Sequence, residues 1–400
     1  RLIYLMLAER HKLKYLEGIR GLAAIIVVLH HYILAFYPAM SSANEAQIHN
    51  ETSYFEEVMA QIPLNIFYNG GFAVCIFFIL SGYVLSNNYH QNNNPQILIQ
   101  YGVKRYFRLL VPVSVSILLA YTFVHLGFMN RLHLGDITKS KDWLAGSFNF
   151  SENITPMLKN MFVDVFFLKD NTYNPVLWTM TYELLGSLLI FAFLLITHPI
   201  KYKMSLYGVL VVILFVTRND YYAAFILGVI LNKYVVQKQL EPKSQNVPTW
   251  LLWLLFMIGF YLSSYPSCIN IKKTIYGVLY FPWLNNEVFY HVIGAFIIMF
   301  VIVNSQKVQS VLSGKILNFI GKISFSFYLL HFIILCSLSC FLFKLFFISY
   351  EYNSAVILAF LCSLPVIAIM SIGYYKWIDK AGIKLSEKIV GILYSKTERL

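Results

Sequence analysis

The feature that most constrains this chain is the recurrence of long apolar stretches, which leave no polar block large enough to form a separate soluble domain. We interpret ten of them as membrane-spanning helices. They cover residues 19–37, 71–88, 106–127, 174–197, 204–217, 221–236, 249–265, 287–304, 319–344 and 354–378. Hydrophobic residues make up 58% of the chain and charged residues 12%, too apolar a composition for a soluble domain. The sequence predicts an all-α polytopic membrane protein with about ten transmembrane helices in one bundle.

The distribution of charge predicts the topology. With a cytoplasmic N-terminus, 22 of the 31 Lys and Arg residues fall in cytoplasmic segments and nine outside. This bias follows the enrichment of Lys and Arg on the cytoplasmic side of membrane proteins, so the net charge of +12 does not call for a nucleic-acid partner. We expect both termini in the cytoplasm. The predicted parts are a cytoplasmic segment over 1–18, a transmembrane domain over 19–378 and a basic amphipathic cytoplasmic tail over 379–400.

The first apolar stretch carries two ionisable side chains on one helix face. Arg20 stands at its start and His31 eleven residues later, about 16 Å along a helix and on nearly the same face. His30 lies about 80° away from that line. An ionisable group near the middle of a bilayer is costly, which makes His31 a functional candidate. The alternative is a neutral histidine hydrogen-bonded inside the bundle.

Two further ionisable side chains are predicted at the depth of His31. Glu183 lies about 13 Å from the outer start of its stretch, and His331 lies about 18 Å from the cytoplasmic start of its own. The three residues come from stretches that are far apart in sequence. Their common depth favours a site over a random scatter of polar residues.

The cytoplasmic boundary offers a candidate anion-binding cluster. Arg105 and Arg108 are three residues apart and share one helix face. Together with Arg20, their guanidinium groups would present planar forks of donors to phosphate oxygens. Anchoring by positive charge at the membrane surface is the alternative.

Two other segments attract interest. Ser81 and Gly82 interrupt the apolar sequence FFILSGYVLS, where close helix packing alone could explain both. The outer loop over 128–173 contains the apolar-periodic run MLKNMFVDVFF, which predicts a helix lying in the interface over a substrate groove. The five cysteines show no metal-ligand spacing, so no metal site is predicted.

Five motifs, taken in their order and spacing, resemble the acyltransferase 3 family, whose multi-pass enzymes O-acylate bacterial surface polysaccharides and other extracytoplasmic acceptors. The motifs are LEGIRGLAAIIVVLHH with Arg20 and His31, FFILSGYVLS with Ser81 and Gly82, KRYFRLLVP with Arg105 and Arg108, LWTMTYE ending at Glu183, and ISFSFYLLH ending at His331. The resemblance covers about residues 14–385.

The resemblance implies an acyl-CoA donor, expected to be acetyl-CoA, that enters from the cytoplasm as a co-substrate, with no permanently bound cofactor. It implies a carbohydrate or glycolipid acceptor and a bacterial inner membrane. The implied acyl-CoA-binding residues are Arg20, Arg105, Arg108, Ser81 and Gly82. The implied catalytic residues are His31, Glu183 and His331, with His31 serving the transfer as a general base or as an acyl carrier and Glu183 orienting the imidazole.

One departure and two alternatives stay open. The family usually has Glu followed closely by Pro near its end, whereas this chain has Asp379 with no nearby proline, so the role of Asp379 is undetermined. A transporter or flippase for a lipid-linked sugar is the main alternative, because ionisable residues at mid-membrane also mark substrate pathways. A receptor or scaffold, in which these residues only tie helices together, is the second.

Overall fold

The computed structural model describes residues 2–49, 55–150, 153–240, 247–268 and 270–395. Within these ranges the chain is helical and has no strands, which confirms the predicted all-α class. The main helices are α1 (Leu2–Phe36), α2 (Gly70–Asn92), α3 (Gln96–His125), α4 (Trp178–Ile196), α5 (Lys203–Val216), α6 (Asp220–Leu240), α7 (Thr249–Ser263), α8 (Asn286–Asn304), α9 (Lys315–Ile334), α10 (Cys340–Phe347), α11 (Tyr352–Tyr374) and α12 (Lys380–Ser395). Short helices occupy Ala39–Ser42, Phe55–Gln61, Ile154–Lys159, Val165–Phe167 and Gln306–Leu312.

The number of membrane-spanning helices differs from the sequence-based expectation. Among the described residues, seven helical runs are long and apolar enough to cross a membrane. They are Lys14–Phe36, Gly70–Asn92, Gln96–His125, Pro175–Ile196, Asn286–Asn304, Lys315–Phe347 and Tyr352–Leu393. Helices α5 and α7 are apolar but have only 14 and 15 residues, about 22 Å of helix against about 30 Å of hydrocarbon. Helix α6 is long enough but ends in the polar sequence NKYVVQKQL. The count of ten spans is therefore not confirmed, and the cytoplasmic location of the termini stays a prediction.

The chain divides into two compact units, each assembled from three segments. The first unit comprises Arg1–Val27, Ile62–Gly102 and Gly186–Ser324, and the second comprises Val28–Gln61, Val103–Leu185 and Phe325–Leu400. Of the predicted site residues, the first unit contains Arg20, Ser81 and Gly82, and the second contains His31, Arg105, Arg108, Glu183 and His331. The proposed division into a terminal segment, one transmembrane domain and a tail stays a prediction.

Glycines bring α1 and the start of α9 into direct backbone contact in the first unit. A Cβ built on Gly18 would lie 1.8 Å from the carbonyl oxygen of Leu312. Leu312 is three residues before the first residue of α9. A Cβ on Gly321 would lie 1.9 Å from the Glu17 carbonyl oxygen. No side chain fits at these distances, so only glycine allows the two helices to approach this closely. Two glycines of the LEGIRG motif, Gly18 and Gly21, therefore have a packing role.

Helices α2 and α6 approach each other in the same way. A Cβ on Gly82 would lie 2.0 Å from the Phe225 carbonyl oxygen, and one on Gly228 would lie 2.1 Å from the Ile79 carbonyl oxygen. Close packing thus accounts for Gly82 without a ligand. The prediction that Ser81 and Gly82 contact acyl-CoA stays untested.

Replacing Gly321 with alanine is expected to destabilise the protein by about 1–3 kcal/mol, because the added methyl group must push α9 away from α1. The measurement is the thermal unfolding midpoint of the purified protein in detergent. Gly208→Ala in α5 is the matched control, because a Cβ there meets nothing within 4 Å. An unchanged midpoint for Gly321→Ala would refute the close approach of the two helices.

In the second unit, a polar cluster fixes the end of α1 beside the long helix that contains α9. Helix α9 continues through a π-helical turn, Leu335–Ser339, into α10. The hydroxyl of Tyr32, which is buried, is 2.6 Å from Ser339 Oγ and 2.7 Å from Ser363 Oγ. These hydrogen bonds connect α1, the π-helical turn and α11. They hold the turn of α1 that contains His31 in a defined position.

The C-terminal tail is helical as far as the structure describes it. Helix α11 continues through a π-helical turn, Tyr375–Asp379, into α12. One face of this run packs on α3, where the Tyr374 hydroxyl donates to the Pro112 carbonyl and Gly382 lies close to Pro112. The location of the tail on the membrane surface stays a prediction.

The long outer loop contains the helix that its periodicity predicts. The run over 154–167 is helical, with a π-helical middle at Asn160–Asp164. Its apolar side chains Ile154, Phe162 and Phe167 are about half exposed. An exposed apolar side is what a helix in the membrane interface requires, and the placement over a substrate groove stays a prediction.

Candidate active site

The structure brings together two of the predicted catalytic residues. His31 on α1 and His331 on α9 are 300 positions apart, and His31 Nδ1 lies 2.8 Å from His331 Nε2. The His331 side chain is fully buried, and His31 is half-buried. The hydrogen bond thus joins two side chains that helix rise alone predicts at a similar level.

The hydrogen bonds assign the tautomers of this pair. His331 Nδ1 lies 3.1 Å from the Phe327 carbonyl oxygen, which can only accept, so Nδ1 carries the hydrogen. In a neutral His331 the other nitrogen, Nε2, is then an acceptor, and it accepts from His31 Nδ1. A neutral His31 therefore has its lone pair on Nε2. This is the arrangement of a general base whose orientation is set by a second group.

A tryptophan from the outer loop covers this pair. The Trp143 ring stacks on the His31 ring with centroids 5.6 Å apart and planes 18° apart. Phe332 meets both rings, at 5.1 Å from Trp143 and 5.4 Å from His31. The position of Trp143 could not be predicted from the sequence, because helical periodicity does not indicate where a side chain points in a predicted loop of this length. Its only signal was an aromatic residue in the segment KDWLAG.

The loop that presents Trp143 is held by buried polar contacts. Ser140 Oγ donates to the Leu34 carbonyl at 2.7 Å, which attaches the loop to α1 one turn after His31. Arg131 is buried and donates to the carbonyls of Ser147 and Phe148. Burial lowers the pKa of Arg131, yet an arginine keeps its charge at any physiological pH. Trp143 is therefore positioned by the fold of the loop itself.

A second set of contacts leads from His331 to α4. Tyr328 lies one turn before His331, with ring centroids 5.9 Å apart. Its hydroxyl lies 2.8 Å from Thr179 Oγ1 and 2.5 Å from the Val176 carbonyl. Thr179 and Glu183 are four residues apart, so they lie on one face of α4. Tyr328 thus connects the histidine pair with the face of α4 that also carries Glu183.

Glu183 pairs with an arginine. Its Oε2 accepts a hydrogen bond from Arg105 Nη2, and the two side chains are only 14% and 13% exposed. The sequence predicts Arg105 at the cytoplasmic boundary, just before a span over 106–127, and Glu183 at mid-membrane. Helix α3 in fact begins at Gln96, so Arg105 lies nine residues, or about 13 Å, inside the helix. The pairing gives Glu183 a partner other than the expected imidazole, and its role as an orienting carboxylate stays a hypothesis.

The second arginine of the pair also interacts with an acid. Arg108 is exposed, and its charge acts on Asp379, which is buried in the π-helical turn before α12. Each arginine of the RxxR motif thus has a carboxylate of the same unit nearby. Asp379, whose role the sequence left open, thus lies within electrostatic reach of Arg108.

The remaining predicted residues have local partners. Arg20 Nη1 donates to Glu17 Oε1 at 2.8 Å, one turn earlier on α1. The His30 ring meets His31 edge-on, with centroids 5.4 Å apart. Binding of a phosphate by Arg20 stays a prediction. Across the described ranges, no group of three or more His, Cys, Asp or Glu side chains could hold a metal ion.

These features define a class of protein: a helical integral membrane protein with a half-buried histidine hydrogen-bonded to a second, fully buried histidine. Residues 13–374 match the model of the acyltransferase 3 family, described as an acyltransferase domain. The chain therefore belongs to the acyltransferase 3 family. No solved structure matches this chain.

Two characterised relatives bear related names. The chain is 22% identical over 391 residues to acyltransferase clz18 of Cochliobolus lunatus, covering 81% of this chain and 82% of the relative. It is 25% identical over 390 residues to acyltransferase R4 of Phoma sp. (strain ATCC 20986 / MF5453), with the same coverage. Both relatives are similar over most of their length, in agreement with the family.

Proposed function

We propose that this protein transfers an acyl group, expected to be acetyl, from cytoplasmic acyl-CoA to a hydroxyl of an extracytoplasmic carbohydrate or glycolipid. The observation that carries the proposal is the 2.8 Å contact between His31 and His331, which leaves a lone pair on His31 Nε2. Membership of an acyltransferase family supports the reaction class. Location in a bacterial inner membrane is the expectation from sequence and stays part of the proposal.

The proposed step is a direct transfer. His31 Nε2 takes the proton of the acceptor hydroxyl as the oxygen attacks the thioester carbonyl carbon, and a carbon–oxygen bond forms. The tetrahedral intermediate then collapses, and the carbon–sulfur bond breaks. The proton held by His31 passes to the departing sulfur, so the products are the acyl ester and free CoA thiol. No oxidant, reductant or metal is required.

His331 supports this step as a positioning residue. By accepting from His31 Nδ1, it favours the tautomer in which Nε2 is free of hydrogen, and it fixes the plane of the ring. Its own orientation is held by the Phe327 carbonyl. A base that is already aligned loses little entropy when the acceptor arrives, which is a large part of the advantage of an enzyme over solution.

Trp143 supports the step by enclosing the base. The indole face covers one side of the His31 ring, and Phe332 lies against both rings. Apolar walls of this kind keep water away from a reactive thioester and so limit its hydrolysis. Access of the acceptor would then depend on the loop over 128–173.

The donor carries phosphates, and the exposed Arg108 is the guanidinium of the second unit best placed to meet them from water. Arg105 is paired with Glu183, so a phosphate would have to share it with a carboxylate. We retain Arg20, Arg105 and Arg108 as proposed acyl-CoA contacts, with Arg108 first among them. Glu183 then acts on the donor side, through Arg105.

Release of CoA thiol distinguishes this function from transport of a lipid-linked sugar. The protein is reconstituted in vesicles with acetyl-CoA and a hydroxyl-bearing glycan acceptor, and free thiol is followed with a chromogenic disulfide reagent. We expect acceptor-dependent thiol release together with a mass gain of one acetyl group on the acceptor. Movement of the acceptor across the membrane without thiol release would support the transporter instead.

A further inference from the structure

A cavity of about 340 Å³ lies where the start of α9 meets α1 in the first unit. Its lining residues are Lys14, Glu17, Ser313, Lys315, Asn318, Phe319 and Lys322. The volume is at the lower end of the range of small-ligand sites. The contacts of Gly18 and Gly321 fix the helix crossing beside it, so the lining residues are held by backbone packing rather than by flexible loops.

The charge of the cavity is strongly positive. Lys14, Lys315 and Lys322 form no hydrogen bond or ion pair with any other described residue. The single acidic residue in the lining, Glu17, is already paired with Arg20 at 2.8 Å. Three exposed lysines therefore line the cavity, against one glutamate that is already paired with Arg20. This excess of positive charge attracts an anion to the cavity.

The surface next to the cavity is apolar. Phe319, which lines the cavity, is 48% exposed, and Ile316 on the same turns of α9 is 75% exposed. Both lie in a helical run apolar enough to cross a membrane. An anion that binds here therefore meets ammonium groups on one side and membrane-facing hydrocarbon on the other. A phosphate joined to acyl chains has this chemistry.

We propose that this cavity binds the phosphate headgroup of an acidic membrane phospholipid. The lysines hold the phosphate, Ser313 and Asn318 offer polar contacts to the rest of the headgroup, and the acyl chains lie along Ile316 and Phe319. The predicted topology puts the site on the cytoplasmic side, where anionic lipids attract basic residues. The site is separate from the histidine pair and does not depend on the proposed reaction.

Native mass spectrometry of the purified full chain in neutral detergent tests this proposal. Phosphatidylglycerol, phosphatidylcholine or CoA is added, and the bound fraction is measured. We expect wild type to retain phosphatidylglycerol in preference to phosphatidylcholine, and the preference to fall at higher salt. The double substitution Lys315→Gln with Lys322→Gln should weaken phosphatidylglycerol binding by about thirtyfold, since each basic residue contributes roughly a factor of five.

The matched control is Lys201→Gln with Lys307→Gln, which removes the same charge from exposed positions outside the lining. The control should bind phosphatidylglycerol like wild type, and circular dichroism should show that both variants are folded. Equal binding of the two lipids by wild type, or equal losses in the two variants, would overturn the proposal. Displacement of phosphatidylglycerol by CoA in wild type would overturn the lipid assignment. It would indicate that the cavity binds the CoA part of the donor instead.

Discussion

The substitution His31→Ala is expected to lower kcat for acyl transfer by about 10²–10⁴-fold while leaving the protein folded. A positioned general base contributes this much, and the ring is only half-buried, so the helix packing of the unit should survive its removal. The loss should appear in acceptor-dependent thiol release from acetyl-CoA by the purified protein in vesicles. Binding of acetyl-CoA should change little, because His31 acts on the acceptor proton.

The neighbouring His30→Ala is the matched control. It removes the same kind of side chain from the same turn, but the His30 ring meets His31 edge-on, whereas the hydrogen bonds from the Phe327 carbonyl run through His331 to His31. We expect less than a tenfold loss of kcat. If His30→Ala and His31→Ala lose equal activity, or if His31→Ala keeps near-normal activity, the assignment of the base is wrong.

The substitution Glu183→Ala is expected to cost about 3 kcal/mol of stability. Removing one member of a largely buried ion pair leaves the other charge without compensation, and this costs far more than the pair contributes. Here Arg105, only 13% exposed, would lose its carboxylate partner. A fall in the unfolding midpoint in detergent measures the effect, and Arg105→Ala with Glu183→Ala together should recover part of it.

A second ion pair of the same unit gives the control. Lys104 Nζ lies 3.1 Å from Glu387 Oε1, with side chains 29% and 58% exposed. Exposed pairs contribute about 0–1 kcal/mol, so Glu387→Ala should leave the midpoint nearly unchanged. If Glu183→Ala lowers the unfolding midpoint no more than Glu387→Ala does, the ion pair with Arg105 does not stabilise the protein in the way that the geometry indicates.

Much of the fold follows from apolar length and helix geometry. The seven long runs coincide with stretches that the sequence marks, because twenty apolar residues in a membrane have no alternative to a helix. The proximity of His31 and His331 could also be predicted, because a rise of 1.5 Å per residue converts sequence position into distance along a helix. The count of ten spans is not confirmed at α5 and α7, which are shorter than the bilayer, and at α6, which ends in a polar sequence.

Other features depend on tertiary packing, which cannot be inferred from a single sequence. The pairing of Arg105 with Glu183 could not be predicted, because α3 begins ten residues before the apolar stretch and long side chains add several ångströms of reach. Trp143 lies in a short π-helical turn, Lys141–Ala145, which no apolar periodicity in the sequence predicts. Gly18 and Gly21 belong to the motif on which the family resemblance rests. The sequence alone does not indicate which part of the chain they pack against.

The central claim is that His31 and His331 act as one unit in acyl transfer, and a double-mutant cycle tests it most directly. Acceptor-dependent thiol release is measured for wild type, His31→Ala, His331→Gln and the double variant. Because residues that act as a unit are not additive, we expect the double variant to be no slower than His31→Ala alone. If the two losses multiply, the histidines act independently and the base–orienter assignment is contradicted.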